Sequence, residues 1–194
     1  MPGFTISEFA GKLSTFGLAS PNKFKVEFQG IPVGLNNRQL DFMCEQVDIA
    51  GRSVQSIMNL EYGIRREVAY NAPAYNPLSL TFLCTGEFTE KRILDRWNNL
   101  IVDSVNGFNV EYYDTYAKGC SLTVTSLKPD GTTKAFSITY REVYPKSISS
   151  IQLNHSTQNT TLRVTAEIQY AFFETDDIRA TTSSQLNSQG RANL

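Results

Sequence analysis

Few side chains in this 194-residue sequence are of a type that could carry out chemistry. His155 is the one histidine, and a nucleophile–histidine–acid triad would have to use it. It lies between Asn154 and Ser156 in a polar stretch, which favours a surface or structural role. Asp176 and Asp177 are adjacent carboxylates, but paired catalytic acids need a rigid, partly buried site. The polar sequence that follows them predicts solvated charge, so we expect no enzymatic activity and no catalytic residues.

The cysteines do not follow a metal-binding pattern. Cys44, Cys84 and Cys120 are isolated, and each lies in an apolar segment with the alternation of a strand. They are predicted to be free thiols that pack as small hydrophobic side chains, as in a chain assembled in a reducing cytoplasm. The segment Gly51–Ser53 is too short for a phosphate-binding loop and lacks its lysine. We therefore predict no metal and no cofactor.

The composition is that of a folded protein with a weakly charged surface. Apolar residues make up 41% of the chain, charged residues 19%, and the formal net charge is −1. Because phosphate neutralisation supplies much of the affinity of nucleic-acid binders, a chain without a basic run is not expected to bind DNA tightly. A surface poor in charge is one mark of a subunit buried in an assembly. Neither a secretory signal nor a membrane span is predicted.

Alternation of apolar and polar residues with a period of two predicts a mainly β fold. The predicted strands lie at Phe24–Phe28, Phe42–Val47, Arg66–Tyr70, Leu78–Cys84, Val110–Tyr112, Cys120–Thr125, Phe136–Tyr140 and Leu162–Tyr170. The segment Lys128–Gly131 predicts a turn, because proline fixes φ and glycine tolerates positive φ. This turn is expected to join its two flanking strands into an antiparallel hairpin.

One helix is predicted at residues 89–103. Its apolar stripe is formed by Ile93, Leu94, Trp97, Leu100 and Ile101. Trp97, the single tryptophan, is expected to anchor this helix in the core. We predict an N-terminal arm at 1–20, a β domain at 21–173 and a flexible C-terminal tail at 174–194, which is poor in apolar residues.

Long stretches without a regular pattern are the candidates for contacts between subunits. One is the arm, and the other runs from Asp48 to about Gly63. Arginine together with tyrosine is typical of interface anchors, although a solvated loop is the alternative for residues 48–75. The interface candidates are Phe4, Phe9, Phe16, Arg52, Tyr62, Arg65, Arg66, Glu67, Tyr70 and Tyr75.

Serine and threonine alternate with apolar residues on two neighbouring predicted strands. The candidates on this polar face are Ser121, Thr123, Thr125, Ser137 and Thr139. The face is either an ordinary solvated side of a sandwich or a polar wall that lines a wide pore. A wall without lysine and arginine would let a nucleic acid pass without gripping its phosphates.

Several segments in order resemble the tail tube proteins of contractile-tailed, T4-like bacteriophages. They span roughly residues 19–173 and comprise Ala19–Phe28, Phe42–Val47 with Ile49–Arg52, Tyr62–Glu67, Leu80–Phe82, the helical segment up to Arg96 and Trp97, and Tyr144–Ile148. The resemblance implies a two-sheet antiparallel sandwich or barrel with one flanking helix, as in Hcp-like tubes.

The same resemblance implies a structural virion protein. Such a subunit forms stacked hexameric rings of the inner tail tube, through which phage DNA passes without specific binding. Its partners are further copies of itself and the tail sheath and baseplate proteins, and it is assembled in the host cytoplasm. A baseplate tube-initiator or a tail-terminal ring of the same fold is the closest alternative. A monomeric β-sandwich binding module is the alternative from another class.

Overall fold

The computed structural model describes residues 5–8, 10–11, 17–32, 34, 37–51, 53–59, 65–70, 75–104, 107–156 and 160–176. These residues form a mainly β structure with antiparallel sheets and few helices. The helices are α1 (Arg38–Met43), α2 (Thr89–Ile101) and α3 (Tyr113–Tyr116), and residues 6–8 and 10–11 are also helical. The strands are β1 (Phe24–Gln29), β2 (Cys44–Val47), β3 (Ser56–Asn59), β4 (Arg66–Ala69), β5 (Leu78–Leu83), β6 (Ser121–Leu127), β7 (Lys134–Arg141), β8 (Tyr144–Ile148), β9 (Arg163–Gln169) and β10 (Phe172–Thr175).

The strands form two four-stranded sheets and one two-stranded ribbon. The first sheet has the order β1-β6-β7-β10, the second has the order β2-β5-β9-β8, and the ribbon pairs β3 with β4. The chain divides into two compact units. The first comprises Met1–Glu27, Thr123–Thr139 and Glu174–Leu194, and the second comprises Phe28–Leu122 and Tyr140–Phe173.

The first unit contains the predicted turn between β6 and β7. Asp130 accepts hydrogen bonds from the Thr133 hydroxyl at 2.5 Å and from the backbone N–H groups of Thr132 and Thr133 at 2.9 Å. These bonds, led by that of the Thr133 hydroxyl, lower the pKa of Asp130 to about 2. Gly131 has φ 74°, as a turn glycine requires. The carboxylate therefore fixes the turn while its charge stays in water.

The core of the second unit is formed by the alternating faces of β5 and β9. Leu80 lies opposite Ala166, and Phe82 lies opposite Val164, in an antiparallel register. All four side chains are buried. Apolar residues at every second position of both strands thus point to the same side, as the sequence pattern predicted.

Helix α2 packs beside β8 and buries one stripe of its surface. Ile93, Leu94 and Trp97 are fully buried, and the Trp97 Nε1 donates a hydrogen bond to the Tyr116 carbonyl at 3.1 Å. Glu90 is buried near the start of the helix and accepts hydrogen bonds from the Thr85 N–H and hydroxyl at 2.9 and 3.0 Å. Burial opposes ionisation of this carboxyl, but the hydrogen bonds outweigh it and keep the pKa of Glu90 below its usual value.

Two predicted strands are wrong in part. Phe42 and Met43 belong to α1 and precede the strand at Cys44–Val47. Leu40 is the buried residue of α1 and Phe42 is 81% exposed, so a short apolar run here did not mean a buried strand. Val110 forms only an isolated bridge with Val102 and begins no strand.

Three observed strands were not anticipated. Residues Ser56–Asn59 form β3 inside the stretch predicted to be irregular. Tyr144–Ile148 forms β8 at the edge of the second sheet, and Phe172–Thr175 forms β10 across the predicted boundary at residue 173. The arm residues Phe4, Phe9 and Phe16 and the tail residues 177–194 lie outside the described part of the chain.

Candidate interaction surfaces

The β3–β4 ribbon carries several of the interface candidates and is exposed on both faces. Ile57 lies opposite Val68, and Met58 lies opposite Glu67. Ile57, Met58 and Val68 are all exposed to solvent. A two-stranded ribbon of this kind is marginally stable in water by itself. Its exposed apolar side chains therefore suit a surface that another molecule covers.

One face of the ribbon combines apolar and cationic side chains. Arg66, Val68 and Tyr70 alternate along the strand and share the face that carries Ile57. The Tyr70 N–H donates to the Gln55 carbonyl at 2.9 Å, which continues the ladder beyond β4. Arg66 and Tyr70 are exposed on this face, so an arginine and a tyrosine that the sequence analysis predicts as interface anchors lie together there.

The remaining interface candidates are placed differently. Glu67 accepts a short hydrogen bond from the Ser56 hydroxyl, and Arg65 is exposed immediately before β4. The Tyr75 ring packs against Tyr170 at 5.5 Å and Phe173 at 5.6 Å between ring centroids. Tyr75 is therefore engaged within the subunit and is half-buried. Arg52 and Tyr62 lie outside the described residues, as do the three arm phenylalanines.

The predicted polar face of β6 and β7 is only partly open. Thr123, Thr125 and Thr139 are half-buried, and the Thr123 and Thr139 hydroxyl oxygens are 3.3 Å apart. Ser121 and Ser137 are only 6% and 4% exposed. A residue of a channel wall has to present its side chain to water. These two serines do not, because neighbouring atoms of the same subunit cover their short side chains, and we remove them from the lumen candidates.

The second sheet also carries a polar face, and none of its residues is among the predicted lumen candidates. The hydroxyl oxygens of Thr81 on β5 and Thr165 on β9 are 3.2 Å apart. The Ser147 hydroxyl donates to the Glu167 carboxylate at 2.9 Å. The alternation of polar residues that marks this face was visible along β5 and β9 in the sequence.

Charge on the second polar face is largely paired. Arg163 donates two hydrogen bonds to the Glu45 carboxylate, at 2.5 and 2.9 Å. This pairing lowers the pKa of Glu45 and raises the pKa of Arg163. Glu45 neutralises Arg163, so these two residues and Glu167 together carry a net negative charge.

The three cysteines are not activated as nucleophiles. Burial raises the pKa of the Cys44 thiol to about 12 and that of the Cys120 thiol to about 11, and it also raises the pKa of Cys84. Because the thiolate is the nucleophile, these thiols are poorly reactive at neutral pH. Within the described ranges, no three histidine, cysteine or carboxylate side chains cluster as metal ligands. His155 is exposed in its turn.

None of the helices among the described residues is both long and apolar enough to cross a membrane.

Comparison with known proteins gives a family match over most of the chain. The family model described as phage tail tube protein matches residues 19–176. No curated protein sequence matches the chain significantly.

The fold is similar to chains in solved contractile injection systems. A chain in the cryo-EM structure of the anti-feeding prophage baseplate aligns with a TM-score of 0.59 and 12% identity, over 81% of this chain and 95% of that one. A chain in the sheath–tube complex of an extracellular contractile injection system aligns with a TM-score of 0.55 and 13% identity, over 89% and 99% of the two chains. A chain in the sheath/tube terminator of such a system aligns with a TM-score of 0.58 and 15% identity, over 82% and 96%.

Proposed function

Because the chain belongs to the phage tail tube protein family, we propose that it is the subunit of an inner tail tube, built from hexameric rings that stack around a channel for DNA. It is a structural protein, and in this proposal it has no enzymatic activity. Assembly is supported by the β3–β4 ribbon, whose apolar side chains are exposed on both faces. A subunit that worked alone would leave this ribbon uncovered in water.

The partners of the tube follow from its place in the particle. Similar folds occur in structures described as a sheath–tube complex and as a baseplate. We propose that further copies of the chain, the tail sheath and the baseplate contact this subunit in the virion, after assembly in the host cytoplasm. In the same proposal, residues 1–20 form an arm that docks on a neighbouring ring.

A specialised ring of the same fold is the second candidate. It is supported by the similarity to chains in a baseplate and in a tube terminator. A subunit of the main tube is expected to form polymers of variable length, whereas an initiator or terminal ring is expected not to grow into long tubes. A monomeric binding module forms neither.

Electron microscopy of the purified protein tests the proposal directly. We expect negative-stain images of concentrated wild-type protein to contain hollow tubes or rings with sixfold end views. Sedimentation velocity should show a species that grows with concentration. A single species of subunit mass at every concentration would exclude a tube, an initiator ring and a terminal ring alike.

Two polar faces can line the channel. Thr123, Thr125 and Thr139 remain our candidates for the wall, and the face with Thr81 and Thr165 is the rival. Both faces are rich in hydroxyl groups. A wall of this kind offers DNA no cluster of lysine and arginine to hold its phosphates.

Cysteine labelling of assembled tubes distinguishes the two faces. We expect Thr125→Cys to react with a small maleimide in intact tubes, but not with a maleimide on a carrier too wide for the channel. The three native cysteines give little background, because burial raises their pKa values. Thr165→Cys is the matched variant on the other face. Protection of Thr165→Cys with exposure of Thr125→Cys to the wide reagent would move the channel wall to the second sheet.

A further inference from the structure

A second exposed apolar surface lies between α2 and α3. Phe108, Val110 and Tyr112 are 72%, 69% and 82% exposed. The chain turns at Gly107 and Phe108, which have φ values of 102° and 58°. Positive φ is uncommon for a bulky residue, and here it ends the turn that returns the chain to the bridge between Val102 and Val110. The fold thus presents aromatic and aliphatic side chains to solvent at a defined place.

Carboxylates neighbour these apolar side chains along the chain. Glu111 and Asp114 are exposed, and Asp114 pairs with Lys118 at 2.8 Å. Nearby, Glu142 accepts a hydrogen bond from the Tyr113 hydroxyl at 3.0 Å. We define the acidic–aromatic patch as Phe108, Val110, Tyr112, Glu111 and Asp114. Lys118 offsets only part of the negative charge of Glu111, Asp114 and Glu142.

The β3–β4 ribbon is complementary to this patch, because it also exposes apolar side chains but carries charge of the opposite sign. It exposes Ile57, Val68 and Tyr70 on the face that also carries Arg66, and Arg65 is exposed immediately before the strand. Neither arginine forms an ion pair with a described residue. One exposed surface of the chain is therefore apolar and basic, and another is apolar and acidic.

We propose that the ribbon of one copy docks on the acidic–aromatic patch of a second copy, with Arg66 facing Glu111 and Asp114 and with Arg65 at the edge of the contact. The inference rests on the proposed tube and names the two surfaces that one of its contacts would join. Because the two surfaces differ, the contact is head-to-tail, and repeated contacts of this kind give a closed ring or an open stack. The aromatic and arginine side chains are the anchors, and the opposite charges set the register.

Charge reversal of each surface tests the contact. The ribbon variant carries Arg65→Glu and Arg66→Glu, and the patch variant carries Glu111→Lys and Asp114→Lys. In the ribbon variant both surfaces are acidic, and in the patch variant both are basic. Each variant alone should therefore lose at least ten-fold in apparent assembly affinity. An equimolar mixture should recover assembly, because each ribbon again meets a patch of opposite charge.

Sedimentation velocity at low and high salt measures this recovery, with electron microscopy as the second readout. Recovery should weaken at high salt, because salt screens exposed charges. The matched control is Arg92→Glu with Arg96→Glu, which reverses two exposed arginines on α2 with the same change in net charge. Circular dichroism checks that every variant is folded. Should a reversal unfold the chain, Arg65→Gln with Arg66→Gln and Glu111→Gln with Asp114→Asn replace it, and an intermediate loss is expected from each.

The outcomes distinguish a failure of this contact from a failure of the proposed tube. If the wild type forms tubes and either folded variant assembles normally, the contact is wrong but the tube is not. The same conclusion follows if the wild type forms tubes and the mixture does not recover assembly. A wild-type protein that stays monomeric would overturn the tube. In that case a complex between the ribbon and patch variants still supports the contact, and its absence at the same concentrations refutes it.

Discussion

Replacing Trp97 by alanine is expected to lower the free energy of unfolding of the subunit by about 3–5 kcal/mol, the range for truncation of a large core side chain. The side chain is fully buried on α2, and its Nε1 hydrogen bonds to the Tyr116 carbonyl. Alanine removes the indole from its packing and also removes this donor. Chemical denaturation of the dissociated subunit measures the loss, and the melting temperature should fall by roughly 6–20 °C for a chain of this size.

Two further substitutions identify the source of the loss. Trp97→Phe keeps a large apolar ring and removes the N–H donor, so its cost should be at most about half that of Trp97→Ala. Phe42→Ala truncates an aromatic side chain that is 81% exposed, and surface changes of this kind usually stay within about 0.5 kcal/mol. Equal losses for Trp97→Ala and Phe42→Ala would mean that Trp97 contributes no core packing.

Sequence periodicity was sufficient to predict a strand or helix that has one buried face. The alternation around Leu80 and Phe82 and the stripe through Trp97 each correspond to an observed element, and the mainly β fold and the tail tube family are confirmed. The strand buries its apolar residues at every second position, and the helix fully buries Ile93, Leu94 and Trp97 and half-buries Leu100 and Ile101. The pattern of each segment therefore records the packing that stabilises it.

The same reasoning failed where apolar residues stay exposed. Ile57 and Met58 lie on opposite faces of the ribbon and are both exposed, so β3 has no alternation of apolar and polar residues to find. Phe42 and Val110 are apolar and exposed, and they were assigned to strands that assumed burial. The two surfaces proposed for assembly are thus among the places where exposed apolar residues break the alternation expected of a monomer.

Contacts between distant parts of the chain were also invisible in the sequence. Glycine, proline and asparagine follow β1 and are residue types typical of a turn, but they do not indicate which part of the chain lies beside that turn. Gly30 lies there against Gly119, which is far away along the chain. Only the folded structure brings the two backbones together, so the turn residues alone could not reveal how closely Gly30 is packed.

Replacing Gly30 by alanine is expected to cost about 2–5 kcal/mol of unfolding free energy, the sum of a left-handed backbone penalty and a steric clash. Gly30 has φ 77°, which disfavours any residue with a Cβ. An added Cβ would lie 2.0 Å from the Gly119 carbonyl oxygen. That oxygen belongs to the backbone and cannot rotate away as a flexible side chain would. The Gly30 carbonyl also accepts a hydrogen bond from the Cys120 thiol at 3.2 Å, so a shift of the loop would disturb this contact too.

Comparison with Gly131→Ala isolates the steric part of this cost. Gly131 has a nearly equal φ of 74°, but its added Cβ would meet no described atom within 4 Å. Its loss should therefore be limited to about 1–2 kcal/mol for the left-handed backbone. Denaturation of the two variants under identical conditions gives the difference directly. A difference near zero would mean that the loop at Gly30 moves away from Gly119 at little cost, and that the close approach of the two backbones does not constrain the fold.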